Sequence, residues 1–189
     1  MSGQFNWTRT LASSATQGVH PGFDHSTQTD EGYYMLTEGK NRMANQRAFL
    51  LTPVQPRTTG SCIHFWYFQQ GPTTQMKLNV YLSTTGPVLW SHAGSIDQRW
   101  LYAQVSLKNP NEEWQAVFES EVLSNSSTGS IAIDDVSITR GLCPKPGDCN
   151  FESGNCGWTN DDDDVEMLWL TGQGIHSFGT GPQYGKRGD

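Results

Sequence analysis

An all-β sandwich is the fold class this sequence predicts, and three observations predict it. Apolar residues recur with a period of two along several short segments. Turn signals built on Gly, Pro and Asn interrupt those segments about every 8–12 residues. No long stretch carries the 3.6-residue period of an amphipathic helix. Short strands punctuated in this way suggest a sandwich or jelly roll.

The strongest segment is Cys62–Phe68. Cys62, His64, Trp66 and Phe68 alternate there with Ile63, Phe65 and Tyr67, so both faces read as largely buried, as in a central strand. Met76–Leu82 alternates more cleanly: Met76, Leu78, Val80 and Leu82 point one way, Lys77, Asn79 and Tyr81 the other. It reads as a half-buried strand. Val88–Trp90, Trp100–Leu107 and Trp114–Glu121 follow, and Ile131–Ile133 with Val136–Ile138 forms the last strand. Gly71-Pro72, Gly86-Pro87, Asn109-Pro110 and Ser127-Thr-Gly129 separate them. Composition shifts at Gly141. The stretch from Leu142 to Cys149 is Pro-rich and short of apolar residues, which reads as a linker and places a domain boundary near Cys143.

The chain has 189 residues, enough for one domain with a real core, or for one and part of another. Charged residues make up 16%, below the roughly 25% of an average soluble domain. Aromatic residues make up 11% and, with abundant Ser, Thr and Gly, favour strands and tight turns. A net charge of −7 weighs against nucleic acid as a partner, because an acidic surface repels phosphates. No apolar run approaches the roughly 20 residues of a membrane helix. Met1–Arg9 lacks the basic and apolar regions of a signal peptide.

Cys62, Cys143, Cys149 and Cys156 are even in number and include no CxxC, which argues against zinc and for a disulfide framework. Such a framework implies an oxidising compartment, with the pairing left open among the three combinations that four cysteines allow. Asn6-Trp-Thr8 and Asn125-Ser-Ser127 are candidate glycosylation acceptors. Asn125 is the better of the two, since it lies in a polar turn. His64, inside an aromatic strand, reads as a hydrogen-bonded core residue. Asp161–Asp164 lacks an EF-hand frame and reads as a solvated acidic loop. The terminal Arg187-Gly-Asp189 has the form of an integrin-binding motif, but so short a tripeptide commonly arises by coincidence, and its function is left open. No HExxH, GxSxG or phosphate loop is present, and Gly172-Gln-Gly174 lacks the third glycine of a dinucleotide loop. No catalytic residues are nominated, and an enzyme is not expected.

Several motifs occur in an order of their own. Cys149-Asn-Phe-Glu-Ser-Gly-Asn-Cys-Gly-Trp158 is followed by four aspartates and Trp169. Upstream lie Phe5-Asn-Trp7, Asp24-His-Ser26 with Gly32-Tyr-Tyr34, Leu50-Leu-Thr-Pro53 and Cys62-Ile-His-Phe-Trp-Tyr67. Val88-Leu-Trp90 with Gly94 and Trp100, then Phe118-Glu119, Ile131-Ala-Ile-Asp-Asp-Val136 and Cys143, complete the series. This resembles the MAM domain family over nearly the whole chain. The resemblance implies a jelly-roll β-sandwich, with Cys62 paired to Cys143 and Cys149 to Cys156. A disulfide closing roughly 80 residues is worth about 4 kcal/mol in the chain-entropy model.

Trp7 and Trp169 match successive copies, which implies a MAM domain over 1–143 lacking its N-terminal strand, a linker over 144–148, and the start of a second copy over 149–189. That tail either completes the first domain as a donated strand or is disordered. The resemblance also implies a structural Ca²⁺ or Na⁺ with Asp135 and Glu152 as ligands, each domain here carrying half of its own site; no other cofactor is expected. The implied function is extracellular adhesion or recognition, on a membrane receptor or a secreted protein. Partners would be other extracellular proteins, including further copies, with membrane attachment through parts outside this chain. The alternative is an accessory domain of a larger enzyme, such as a meprin-like protease or a receptor phosphatase.

Overall fold

The computed structural model describes residues 3–15, 19–82, 86–94, 99–108, 112–125, 127–145, 147–149, 151 and 158. The chain divides into two compact units, Met1–Cys143 and Pro144–Asp189. Secondary structure among the described residues lies in the first unit. Its strands are β1 (Thr8–Leu11), β2 (Tyr33–Glu38), β3 (Arg47–Leu51), β4 (Gly60–Gln70), β5 (Met76–Leu82), β6 (Val88–Ala93), β7 (Leu101–Lys108), β8 (Ala116–Val122) and β9 (Ser130–Arg140). They form two antiparallel sheets, ordered β1-β2-β9-β4-β7 and β3-β8-β5-β6. The architecture is the all-β jelly-roll sandwich that the alternating segments predict.

The period of two decides which side chains enter the space between the sheets. Ile63, Phe65 and Tyr67 of β4 point inward with Ile131 and Ile133 of β9 and Ala103, Val105 and Leu107 of β7. Met76, Leu78 and Val80 of β5 meet them from the other sheet, with Ala116, Phe118 and Val122 of β8. The ring of Phe65 stands edge-on to Phe118 at 5.0 Å and to Trp90 at 5.2 Å. Edge-to-face contacts of this kind add about 0.5–1.5 kcal/mol to area burial.

The other face of β4 is covered too. Phe68 joins Ala12, Tyr34, Leu36, Trp100 and Ala132 in a second apolar cluster, on the outside of the five-stranded sheet. This is why β4 reads as buried on both sides. Trp100, expected inside a strand, instead precedes β7 and packs into this outer cluster. Trp114 likewise precedes β8 and pairs as an isolated bridge with Gln55.

One expectation needs correction. Asn79 and Tyr81 of β5 do not face solvent; both are buried. Their side chains donate to the carboxylate of Glu119 on β8, at 2.9 and 2.6 Å. The strand is therefore buried on both faces at this point, one apolar and one polar.

Beyond Ile133, β9 has β4 on one side and no described strand on the other. The N–H of Gly141 donates to Gly60 O, so the main-chain groups of residues 139 and 137 point toward β4 by alternation. Those of Ile138 and Arg140 point to the open side.

Cys62 and Cys143 form a disulfide with Cα atoms 4.7 Å apart, closing 81 residues of sequence. The N–H of Cys143 donates to Ser106 Oγ at 3.0 Å, so the chain leaves the domain fastened to both β4 and β7. Cys149 is disulfide-bonded as well. Cys156, its expected partner, lies outside the described residues.

Two stability outcomes follow from these contacts. Replacing both Cys62 and Cys143 by Ala lowers unfolding free energy by about 2–5 kcal/mol, read by urea titration against the parent. Phe65→Ala, at a fully buried ring, costs about 3–5 kcal/mol in the same titration. A Phe65→Ala loss below 1 kcal/mol would show that the sheets do not close over this ring.

Candidate functional site

The chemistry-bearing residues gather at one corner of the five-stranded sheet. Residues 19–32 form a loop laid over its outer face. Tyr34 OH donates to Pro21 O at 2.8 Å, and Trp100 Nε1 donates to Phe23 O at 3.1 Å. Asp24 is 2% exposed and acts as the loop's hub. It accepts from Thr27 N at 2.8 Å, Thr27 Oγ1 at 2.6 Å and Thr29 N at 3.2 Å. Burial pushes the Asp24 carboxyl up, but these hydrogen bonds outweigh it and hold the group below its ordinary range. Gly32 is obligatory beside it, because a Cβ there would lie 2.0 Å from Asp24 Cγ.

The next two loop residues reach β9. His25 N–H donates to Asp134 Oδ2 at 2.9 Å, and His25 Nδ1 lies 2.6 Å from Asp135 Oδ2. Ser26 Oγ donates to Asp135 Oδ1 at 2.5 Å. The remaining oxygen, Asp134 Oδ1, accepts from Asp135 N at 2.8 Å. The His25 ring stacks on Trp66 of β4 with centroids 3.7 Å apart and planes 16° off parallel. Asp135 takes a left-handed φ of 47°, where the register of β4 against β9 slips between His64 and Trp66. The slip turns both carboxylates toward the loop. Asp134 is raised above the ordinary carboxylate range, chiefly by burial.

This arrangement bears on the cation expected at Asp135. A hard cation takes about six to eight oxygen ligands. All four oxygens of Asp134 and Asp135 already face a hydrogen-bonding partner from the protein. Among the described residues, no three His, Cys, Asp or Glu side chains group to hold a metal. The described residues alone do not assemble that many oxygens. Glu152, the second expected ligand, lies outside the described residues.

A second polar cluster occupies the outer face of the four-stranded sheet. Buried Glu119 takes the two bonds from Asn79 and Tyr81 and has Arg47 Nη1 at 3.7 Å. Arg47 also donates to Glu121 Oε1 at 2.8 Å. Burial and the Glu119 contact raise the Tyr81 hydroxyl well above its ordinary value, so it stays a donor. The sequence flagged Glu119 only within a motif. Its partners sit about 40 residues away, so no local spacing reveals them.

The remaining nominated residues are placed as follows. His64 bonds the Tyr102 hydroxyl and, at 3.0 Å, Thr139 Oγ1. His20 is buried with Nε2 3.1 Å from Glu38 Oε1. Asn6 and Asn125 are both exposed, and Asn125 Oδ1 accepts from Ala44 N at 2.9 Å. Asp161–Asp164, Trp169, Gly172–Gly174 and Arg187–Asp189 lie outside the described residues.

Fold and corner together define a disulfide-closed β-sandwich module whose conspicuous polar groups hold loops to sheets. The chain belongs to the MAM domain family (meprin/A5/mu), whose model matches residues 1–144. It is 35% identical over 160 residues to MAM domain-containing glycosylphosphatidylinositol anchor protein 2 of Homo sapiens, covering 75% of this chain and 16% of that protein. It is 32% identical over 154 residues to thyroid hormone-induced protein B of Xenopus laevis, covering 78% and 22%. The chain therefore spans less than a quarter of the length of these relatives. MAM domains are non-catalytic, adhesion-type domains, and the first relative is by name a membrane-anchored protein.

Among solved structures, the K1 and K3 cleaved adhesin domains of Lys-gingipain from Porphyromonas gingivalis are similar in fold. Their TM-scores are 0.49 and 0.46, with 16% and 18% identity. They cover 73% and 71% of this chain, which in turn covers 85% and 91% of theirs.

His20, His64 and His92 are each lowered by burial, which at His20 outweighs the opposing pull of Glu38. The unfolded chain, with histidines near 6.5, binds these protons more readily. Stability is therefore complete above about pH 6.5 and falls as pH drops toward the folded values. The thermal midpoint at pH 5 is expected below that at pH 7.5. Asp134, being raised, acts with the opposite sign, but nearer the carboxylate range. Equal midpoints at the two pH values would refute the burial of the neutral histidines.

Proposed function

We propose that this chain works as an extracellular adhesion or recognition module that binds other proteins, further copies of itself included, through its surface. The observation that carries the reading is how its reactive groups are used. Asp24, Asp134, Asp135, Glu119 and His64 each hold a loop or a neighbouring strand. Exposed aliphatic side chains lie elsewhere, among them Val54, Val88 and Leu89. Solvent-facing apolar groups with no structural duty suit contact with a partner. The Cys62–Cys143 disulfide and the membrane-anchored relatives support an oxidising, cell-surface setting. In that setting Asn125 and Asn6 are the acceptors for sugar.

We further propose that residues 1–143 are a MAM domain short of one strand, and that a further strand pairs with the open side of β9 at Ile138 and Arg140. Support comes from the main-chain groups there that no described strand meets. A protein carrying the family's N-terminal strand before Met1 should melt several degrees higher than residues 1–189. An unchanged midpoint would argue against the added strand.

Beads coated with the oxidised protein are expected to aggregate or to bind cell surfaces, and to lose that behaviour after reduction of the disulfides. Coated beads that neither cluster nor bind cells would overturn the adhesion reading.

A further inference from the structure

We propose that β6 is a docking edge for a second copy of this chain, which lays its own β6 there antiparallel and joins the two four-stranded sheets into one. The proposal rests on the adhesion reading above and names its surface and its partner. Among the described strands, β1 and β7 border one sheet and β3 and β6 the other. An open edge presents a row of main-chain N–H and C=O groups that another chain can pair with, and proteins commonly blunt it with charge or cover. Along β3, Gln4 N–H donates to Arg47 O at 2.9 Å, and Arg47 N–H donates to Gln4 Oε1 at 2.8 Å. β1 carries Arg9, whose guanidinium lies over the Tyr33 ring at 3.5 Å. β7 ends in the exposed Lys108. β6, running Val88-Leu-Trp-Ser-His-Ala93, has no acidic residue, lysine, arginine or proline.

The direction of its main-chain groups follows by alternation. Val122 N–H donates to Gln46 O, just before β3, and Leu123 N–H donates to Gln75 O, just before β5. The even-numbered residues of β8 therefore turn toward β3 and the odd-numbered ones toward β5. Lys77, Asn79 and Tyr81 meet those odd-numbered residues, which leaves Leu78 and Val80 to face β6. They meet His92 and Trp90, so Ser91 and Ala93 turn their N–H and C=O groups to the open side, where no described strand lies. The register slip between Val80 and Tyr81 falls at the start of β6 and leaves Trp90–Ala93 regular. Val88 and Leu89 extend the same edge with exposed apolar side chains, at 52% and 40%.

Charge selects the occupant. At a net charge of −7, two copies of the chain repel each other. They approach best through segments that carry no charge, and β6 is such a segment. A two-fold axis sets β6 antiparallel against itself, so each copy supplies the donors and acceptors that the other leaves open. A single short edge makes a weak pair, and many copies on one surface strengthen it by avidity.

The test uses the oxidised 189-residue chain. Sedimentation equilibrium across about 1 μM to 1 mM is expected to show a monomer–dimer equilibrium. As the dimer forms, amide hydrogen exchange at Ser91 and Ala93 is expected to slow several-fold, while that at Arg9 of β1 stays unchanged. Ser91→Pro removes an N–H that β5 does not use, a change that edge strands tolerate, and should weaken dimerisation roughly tenfold or more. Ser91→Thr keeps the N–H and should dimerise as the parent does. Should Ser91→Pro fail to fold, Ser91→Lys brings like charges together across the axis and is expected to weaken dimerisation in the same way. A parent that stays monomeric overturns the proposal. So does a dimer whose Ser91 and Ala93 amides exchange unslowed, or one that survives Ser91→Pro. A monomeric chain whose coated beads still bind cells refutes the β6 pairing and leaves the adhesion reading standing. A β6 dimer whose beads stay inert does the reverse.

Discussion

The two sheets of this protein meet around Phe65 of β4, whose ring stands edge-on to Phe118 of β8 at 5.0 Å. Both rings are essentially inaccessible to water. Ile63 and Tyr67 extend the contact along β4, and Trp90 closes it from β6. The disulfide acts on the same strand. Cys62 precedes Ile63, and its bond to Cys143 fixes the end of β4 against the chain that leaves β9. With one strand held by covalent closure and by ring packing, its neighbours inherit its register. A one-residue slip of β4 would take Phe65 out of the core and turn His64 or Trp66 into it.

Because β4 has no face to spare, its outer side needs cover as well, and the loop over 19–32 supplies it. That loop has no strand ladder of its own, so its main chain depends on side-chain acceptors. Asp24 satisfies three donors within the loop, and Asp134 takes a fourth from His25. The carboxylates are thus spent on backbone groups that a sheet would otherwise satisfy. They mark where irregular chain is fastened to regular chain.

How much of this is legible in the sequence depends on the range of the interaction. The alternation in β4, β5 and β9 is local; it marks all three as strands and, in β5, the set Met76, Leu78 and Val80 that enters the core. β1 and β2 escape notice because Thr8–Leu11 and Tyr33–Glu38 are short and mix polar with apolar residues. Their strand character comes from pairing with each other and with β9. Asn79 and Tyr81 look like a solvent face because a polar residue in a strand looks the same whether water or Glu119 receives its proton. The corner is readable only as separate motifs. Asp24-His-Ser26 and Asp134-Asp135 stand more than 100 residues apart, and their contact appears only once β9 is placed. The family resemblance supplies the Cys62–Cys143 pairing, which the four cysteines alone leave open.

The His25–Asp135 pair shows where the value of such a contact lies. The two side chains are 21% and 39% exposed, and ion pairs with that much access to water contribute little by Coulomb attraction alone. Position contributes more. Asp135 and Ser26 orient the His25 ring, and the oriented ring lies flat on Trp66. Trp66 also meets Tyr102 edge-on, so the imidazole completes an aromatic cover over the outer side of β4. A cation held by oxygens at this corner could neutralise Asp135 but could not shield an indole. An imidazole can bond Asp135 and cover the indole at once, because it joins a hydrogen-bonding edge to an apolar face. The same strand that closes the core through Phe65 is therefore sealed on its outer side through His25, and the aspartates serve that seal.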